Sequence, residues 1–148
     1  MLIAKLLHVL GFTVWVGGMF FAHNALRPSA AALLQPPQRL PLLAATLGRF
    51  FKWVWVAIAL ILGSGGAMMA KLVQPPPYVT LMAVIGVIMM LIFAHIFFAP
   101  NRRLQRAVAA QDWPAGAAAM AQIRVLVFVN LVLGMLTIVV GVLGPLTL

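Results

Sequence analysis

The stretch that decides the fold is residues 78–99, which read YVTLMAVIGVIMMLIFAHIFFA. It contains no acid, lysine or arginine. A helix needs about 20 apolar residues to cross the ~30 Å hydrocarbon core of a bilayer, and this run is long enough. Three further apolar runs accompany it, over roughly residues 2–25, 50–72 and 123–146. The sequence therefore predicts four transmembrane helices.

Composition also favours a membrane protein with one domain. Hydrophobic residues make up 65% of the 148 residues, and the mean hydropathy is +1.14. So little polar sequence leaves no room for a separate soluble domain. Because the connections between the spans are short, we expect an all-α membrane protein: an up-down bundle of four transmembrane helices over residues 1–148. A cleaved signal peptide is the competing interpretation of residues 1–25, but that run is too long and ends in Arg27-Pro28.

The distribution of positive charge predicts the orientation of the chain. Eight of the ten Lys and Arg residues lie in or beside the connections after spans one and three: Arg27, Arg39, Arg49, Lys52, Arg102, Arg103, Arg106 and Arg124. By the positive-inside rule both connections are cytoplasmic, and both termini then lie on the non-cytoplasmic side. The net charge of +9 predicts contact with anionic lipid headgroups. It does not indicate nucleic-acid binding, because no basic patch is interleaved with aromatic residues on a soluble face.

Two residue counts exclude most enzyme classes. The chain has no cysteine, which excludes disulfides, thiolate metal sites and cysteine catalysis. Its single acid, Asp112, leaves no pair of carboxylates for an active site or for a proton relay. In the sequence Asp112-Trp113-Pro114, that acid is predicted to cap the start of a helix.

The first span carries its polar and aromatic residues on one face. This stripe consists of His8, Phe12, Trp15, Met19 and His23. At about 100° per residue these positions fall on one side of a helix, and they are too polar to face lipid. They are therefore predicted to face the bundle. His8 and His23 lie roughly 22 Å apart along the axis, so they cannot both bind one small metal ion.

Two histidines are predicted at similar depth near the cytoplasmic side, because spans one and three run in the same direction. These are His23 and His95, and intramembrane histidines are commonly functional. Two facing imidazoles from different helices are the minimal axial ligation of a b-type heme. Cations suited to the heme propionates surround that surface: Arg27, Arg102, Arg103 and Arg124. The alternative is that His23 lies idle in the headgroup region.

The remaining histidine, His8, has methionines as its nearest soft neighbours by depth, namely Met68, Met69 and Met82. A His/Met pair suits heme or Cu(I), since imidazole and thioether both bind copper. Ordinary packing is the alternative explanation for most of the nine methionines. In span four, Asn130 lies on a small and polar stripe that helix packing explains. Its amide can also bond a cofactor or a histidine.

The first and third spans resemble those of a known family. Leu7-His8 with Trp15-Val16-Gly17-Gly18-Met19-Phe20, and Ala94-His95 with Asn101-Arg102-Arg103-Leu104, are similar to copper resistance protein D (CopD) and to the related HemJ-type protoporphyrinogen oxidases. This resemblance implies His8 and His95 as site residues. CopD-like proteins imply copper handling in the inner membrane, and HemJ-type proteins imply a heme protein that acts on a porphyrinogen. HemJ-type enzymes carry a histidine and a lysine near the start of the third helix. This chain has neither residue there, because the corresponding stretch reads Tyr78-Val79-Thr80-Leu81-Met82.

Three functions follow from these patterns. The main expectation is an inner-membrane protein that binds heme b and acts as a redox or porphyrinogen-oxidase-like enzyme. The alternative is copper handling or transport, with Cu(I) passing along His8, Met19 and His23, and with Met82 as a further ligand. The third is a non-catalytic assembly subunit. The first two functions imply a redox partner or a copper donor. The sequence leaves open whether the protein forms a homo-oligomer, and it assigns no catalytic residue.

Overall fold

The computed structural model describes residues 1–147, with side chains described over residues 1–146. Its elements are α1 (Leu2–Phe21), a π-helical turn (Ala22–Leu26), α2 (Arg27–Leu33), α3 (Pro36–Met69), α4 (Pro77–Phe98), α5 (Pro100–Ala109) and α6 (Trp113–Thr147). They form four helical rods, each long and apolar enough to cross a membrane: Leu2–Leu33, Pro36–Met69, Pro77–Ala109 and Trp113–Leu146. The predicted all-α fold with four membrane-spanning helices is confirmed.

The rods are longer than the predicted spans, and most of the extra length lies at one end of the bundle. A rod of 32 to 34 residues is about 50 Å long, whereas the hydrocarbon core is ~30 Å thick. We call the end formed by residues 27–52 and 99–124 the basic end, because eight of the ten Lys and Arg residues lie there. The opposite end is called the far end.

The second rod shows why the predicted boundary differs from the observed one. The sequence pattern predicts a span from residue 50, whereas α3 begins at Pro36. One continuous buried stripe runs along this helix at helical spacing: Leu40, Leu43, Ala44, Leu47, Phe51, Val54, Ala57, Ile58 and Ile61. The stripe starts at Leu40, ten residues before the apolar run at 50–72. The early part of α3 packs on α5 and α6 and not on lipid, so it is not marked by a long apolar run. Charged Arg49 and Lys52 stay on its exposed side.

The core sits where the rods meet. Helix α1 packs along α3, and α4 and α5 pack along α6, while α6 also touches α1 and α3. Aromatic rings fill the space between α1, α3 and α4. The Phe93 ring centroid lies 6.0 Å from that of Trp15 and 5.4 Å from that of Phe51, both edge to face. Such edge-to-face pairs stabilise a core beyond simple area burial.

The connection between α5 and α6 is a tight turn whose hydrogen bonds define it as a Schellman motif. The Asp112 N–H donates to the Ala107 carbonyl over 2.9 Å, and the Gln111 N–H donates to the Val108 carbonyl over 3.1 Å. Gln111 adopts the left-handed conformation, with φ 55°. Asp112 Oδ1 then accepts the Ala115 N–H at 3.1 Å, so the predicted cap at the start of α6 is confirmed.

Replacing Gln111 with glycine tests the cost of this turn. The left-handed conformation is unfavourable for a side chain and free for glycine, so Gln111→Gly should raise the free energy of unfolding by about 0.5 kcal/mol. The matched control is Ala110→Gly, because Ala110 has φ −85° and glycine brings no conformational gain there. Thermal unfolding in detergent micelles measures both variants. A lower melting temperature for Gln111→Gly would contradict the prediction.

Candidate functional site

The stripe on the first span faces the bundle, as predicted. Trp15 and Met19 are buried, with 1% and 2% of their surface exposed. The outer members of the stripe, His8, Phe12 and His23, are half-buried. The two histidines therefore lie at the two ends of the stripe, and the buried Trp15 and Met19 side chains fill the space between them.

At the far end, His8 is held by α3. Its Nδ1 lies 3.1 Å from the Ser64 Oγ. Ser64 is buried, and its hydroxyl donates to the Leu60 carbonyl. Since a serine has only one proton to donate, its oxygen must accept the hydrogen bond from His8. The proton of the neutral imidazole therefore lies on Nδ1, and Nε2 keeps its lone pair.

Glycine makes room for this ring. A Cβ placed on Gly65 would lie only 3.2 Å from His8 Cε1, tighter than an ordinary contact. The hydrogen bond and the close approach together fix the ring between α1 and α3. This is the type of support that orients metal-binding histidines, in which one nitrogen is held by the protein and the other is left for the ligand. Sequence reasoning missed Ser64 as a site residue; its signal is a lone hydroxyl in span two at the depth of His8.

The methionines near His8 fall into two groups. Met68 lies one turn beyond Ser64 on the same face of α3 and is half-buried, whereas Met69 is exposed. Met82 lies elsewhere: its Sδ would be 3.4 Å from a Cβ placed on Gly141 of α6, so it packs at the α4–α6 interface. Of the methionines predicted as partners of His8, Met68 is the one whose position suits the role.

At the basic end, His23 lies beside α6. Its ring centroid is 5.2 Å from that of Phe128. The histidine lines a cavity together with Arg27 and Arg124, and apolar residues of the π-helical turn, α3 and α6 form the rest of its wall. Arg124 therefore lies close to His23, while its role in holding a cofactor stays a prediction.

The other predicted site residues at the basic end do not join this cavity. His95 is exposed, and its side chain makes no hydrogen bond, ion pair or ring contact with the part of the chain that the structure describes. Arg102 is exposed and stacks over Phe98 at 5.2 Å. Arg103 donates a hydrogen bond to Gln122. These arginines serve contacts within their own end of the bundle.

Asn130 lies deep in the core. It is 1% exposed, and its Nδ2 donates to the Met89 carbonyl over 3.2 Å. The Asn130 Oδ1 is buried and has no hydrogen-bond partner among the described residues. The amide thus joins α6 to α4, as the packing explanation requires.

The three histidines therefore occupy three separate surroundings. Within residues 1–146, no group of three or more His, Cys, Asp or Glu side chains is placed to hold a metal ion. Imidazole with thioether suits Cu(I), whereas harder cations prefer oxygen ligands.

Comparison with known proteins identifies one relationship. The family model described as copper resistance protein D matches residues 44–143. This match runs from the early part of α3 into the last turns of α6, and so includes Ser64, Met68 and His95 but not α1. The curated proteins and the solved structures yield no match.

Proposed function

The chain belongs to the copper resistance protein D family, and from that premise we propose that it carries copper, as Cu(I), across the membrane that it spans several times. Copper here is the cargo of the protein and not a resident cofactor. The membrane is proposed to be a bacterial-type inner membrane. Because positive charge stays on the cytoplasmic side, the basic end would lie in the cytoplasm and His8 would open to the opposite compartment.

The observation that carries the proposal is the 3.1 Å contact between His8 Nδ1 and the Ser64 Oγ. Ser64 holds Nδ1–H, so Nε2 is the free nitrogen, and a neutral imidazole is a good ligand for copper. The ring is held against α3 by Ser64 and Gly65, so little ordering is needed when an ion binds. A histidine of fixed orientation together with a thioether would form a soft and weakly charged site that favours Cu(I).

Met68 is the proposed second ligand. It lies on the same face of α3 as Ser64, one turn nearer the far end, and its long thioether side chain can turn back towards His8. From there the stripe leads past Trp15 and Met19 to His23. Since Trp15 and Met19 are 1% and 2% exposed, this conformation keeps the two ends of the path separated. The chain has no cysteine and a single acid, Asp112, which caps α6, so we propose that a copper donor delivers the ion.

Heme b, the main expectation from the sequence, stays a prediction that the packing does not support. Bis-histidine ligation near the cytoplasmic side needs His23 and His95 to face each other, whereas His95 is exposed and His23 lies against Phe128 and Arg124 of α6. The oxidoreductase role rests on heme binding and stays a prediction as well. A spectrum of the purified protein tests it directly, because heme b gives a Soret band and Cu(I) does not.

Replacing His8 with asparagine tests the copper site. The Asn side chain keeps a donor near the Ser64 oxygen but removes the Nε2 ligand. We expect His8→Asn to weaken Cu(I) binding by at least about tenfold, the loss typical of a disturbed metal ligand. Competition with a coloured Cu(I) chelator measures this affinity in detergent, and copper uptake into proteoliposomes measures transport.

The matched control is His95→Asn, since His95 is exposed and makes no side-chain contact. It should bind Cu(I) like the wild type. Met68→Leu, which keeps the size of the side chain, should weaken binding, and Met82→Leu should not. Equal losses in the His8 and His95 variants would contradict the proposed site.

A further inference from the structure

A cationic cavity at the basic end is not explained by copper binding at the far end. It is a small cavity of about 30 Å³ between the π-helical turn of the first rod and helices α3 and α6. Three cationic or imidazole side chains lie on its wall: His23, Arg27 and Arg124. The rest of the wall is apolar, including Leu47 and Val127. Such a cavity suits the contact of one anionic group with these side chains, and any apolar body of the ligand must lie outside it.

The cations of this cavity have no carboxylate to neutralise them. The single acid of the chain, Asp112, caps α6 and lies 12 residues before Arg124, about 18 Å along the axis. Arg27 Nε is buried and has no hydrogen-bond partner in the described residues. A buried donor of this kind costs free energy unless a ligand satisfies it. The arrangement therefore points to an anion with several acceptor oxygens.

The π-helical turn shapes the site. The Arg27 N–H donates to the Ala22 carbonyl, five residues earlier, so the turn is one residue wider than in an α-helix. Four residues of this segment, Ala22, His23, Leu26 and Arg27, line the cavity. Single π-turns within longer helices occur frequently at functional sites. Here the turn directs a histidine and an arginine into the same space.

A separate apolar groove lies along α6 and is closed on one side by Phe20 of α1. Its volume is about 280 Å³, and on α6 it extends from Phe128 to Val139. Phe128 of the groove lies 5.2 Å from His23 of the cavity, measured between ring centroids, so the cationic cavity and the groove are neighbours. The groove spans 11 residues of α6, or about 16 Å, which is half of the ~30 Å hydrocarbon core. Its length is therefore that of one bilayer leaflet.

We propose that this surface binds one anionic phospholipid of the leaflet at the basic end, with the phosphate on His23, Arg27 and Arg124 and an acyl chain in the groove. Basic pockets between transmembrane helices are suited to lipid headgroups, and arginine binds phosphate through several parallel hydrogen bonds. The proposal shares His23 with the proposed copper path but rests on Arg27, Arg124 and the groove, so it can be tested without copper. It names a bound lipid, in contrast to the bulk lipids that contact any apolar surface.

The test measures lipid affinity in neutral detergent micelles. Delipidated protein is titrated with dioleoyl phosphatidylglycerol, and separately with phosphatidylcholine of the same chains. We expect the double variant Arg27→Gln/Arg124→Gln to bind phosphatidylglycerol at least about tenfold more weakly than the wild type, since two charge-assisted contacts are lost. The matched control is Arg49→Gln/Arg106→Gln, which removes the same charge from exposed positions.

A second variant keeps every cation and fills the groove. Met135 lines the groove and is 48% exposed, so Met135→Trp should fold normally and still weaken lipid binding. Three results would overturn the proposal. These are equal losses in the two arginine double variants, equal wild-type affinity for the two lipids, or inorganic phosphate competing fully while Met135→Trp has no effect. The last result would assign the cavity to a small free anion.

Discussion

Gly134→Val should lower the free energy of unfolding by about 3 kcal/mol, because the added side chain has no space at the crossing of three helices. A Cβ on Gly134 would lie 2.8 Å from Val16 Cγ2 and 3.2 Å from Met89 Cε. Both neighbours are buried, at 4% and 0% exposure, and valine is stiff at χ1. Helices α1, α4 and α6 would have to separate. Thermal unfolding in detergent micelles measures the loss.

The control for this variant is Gly86→Val in α4, since a Cβ placed there would have no described atom within 4 Å apart from its chain neighbours and its own helix backbone. The two substitutions add the same side chain to a membrane-spanning helix. A second test is Val16→Ala, which removes the atom that a Cβ on Gly134 would meet. The pair Gly134→Val/Val16→Ala should lose less stability than the sum of the single variants. Equal melting temperatures for the two glycine variants would contradict the packing argument.

Trp15→Ala should cost about 3 kcal/mol of unfolding free energy, because it empties the centre of the aromatic core. Trp15 is 1% exposed, and its ring meets that of Phe93 edge to face at 6.0 Å. Lipid tails are as apolar as the core, so the loss comes mainly from vanished contacts and less from exposure to water. The same denaturation assay measures it.

Trp53→Ala is the matched control, since Trp53 is 64% exposed on the second rod. It removes the same side chain without opening a cavity, so its stability should change by less than about 0.5 kcal/mol. Trp15→Ala is also expected to open the closed segment between His8 and His23. Faster copper entry into proteoliposomes would accompany that change if the stripe is the path. A Trp15 variant as stable as the Trp53 variant would show that this residue is not at the centre of the core.

The helices themselves could be predicted from the sequence, because their signals are local. Apolar runs of about 20 residues need no tertiary contact to specify a membrane span. Asp112 was recognisable as a helix cap for the same reason, since a cap depends only on the next few residues. The start of α3 at Pro36 was missed, because its first turns are stabilised by packing on α5 and α6 and not by hydropathy.

The site could be predicted only in part. Helical spacing correctly turned His8, Trp15, Met19 and His23 towards the bundle, because that spacing lies within one helix. Contacts between different helices could not be predicted in this way, because helical spacing does not say how one helix is rotated against another. The rotation of α4 leaves His95 exposed, and Met82 packs on α6 while His8 packs on α3.

Two classes of property can thus be separated in this protein. Length, hydropathy and charge along the chain specify four helices, their inward stripe and the single basic end, because these depend on residues close in sequence. Packing specifies the Nδ1 proton of His8 and the unpartnered Arg27 beside Arg124. Each of these depends on how one helix is rotated against another, and that rotation is set by glycines, rings and methyl groups on neighbouring rods. Residues far apart in the chain come into contact only when the helices have packed against one another.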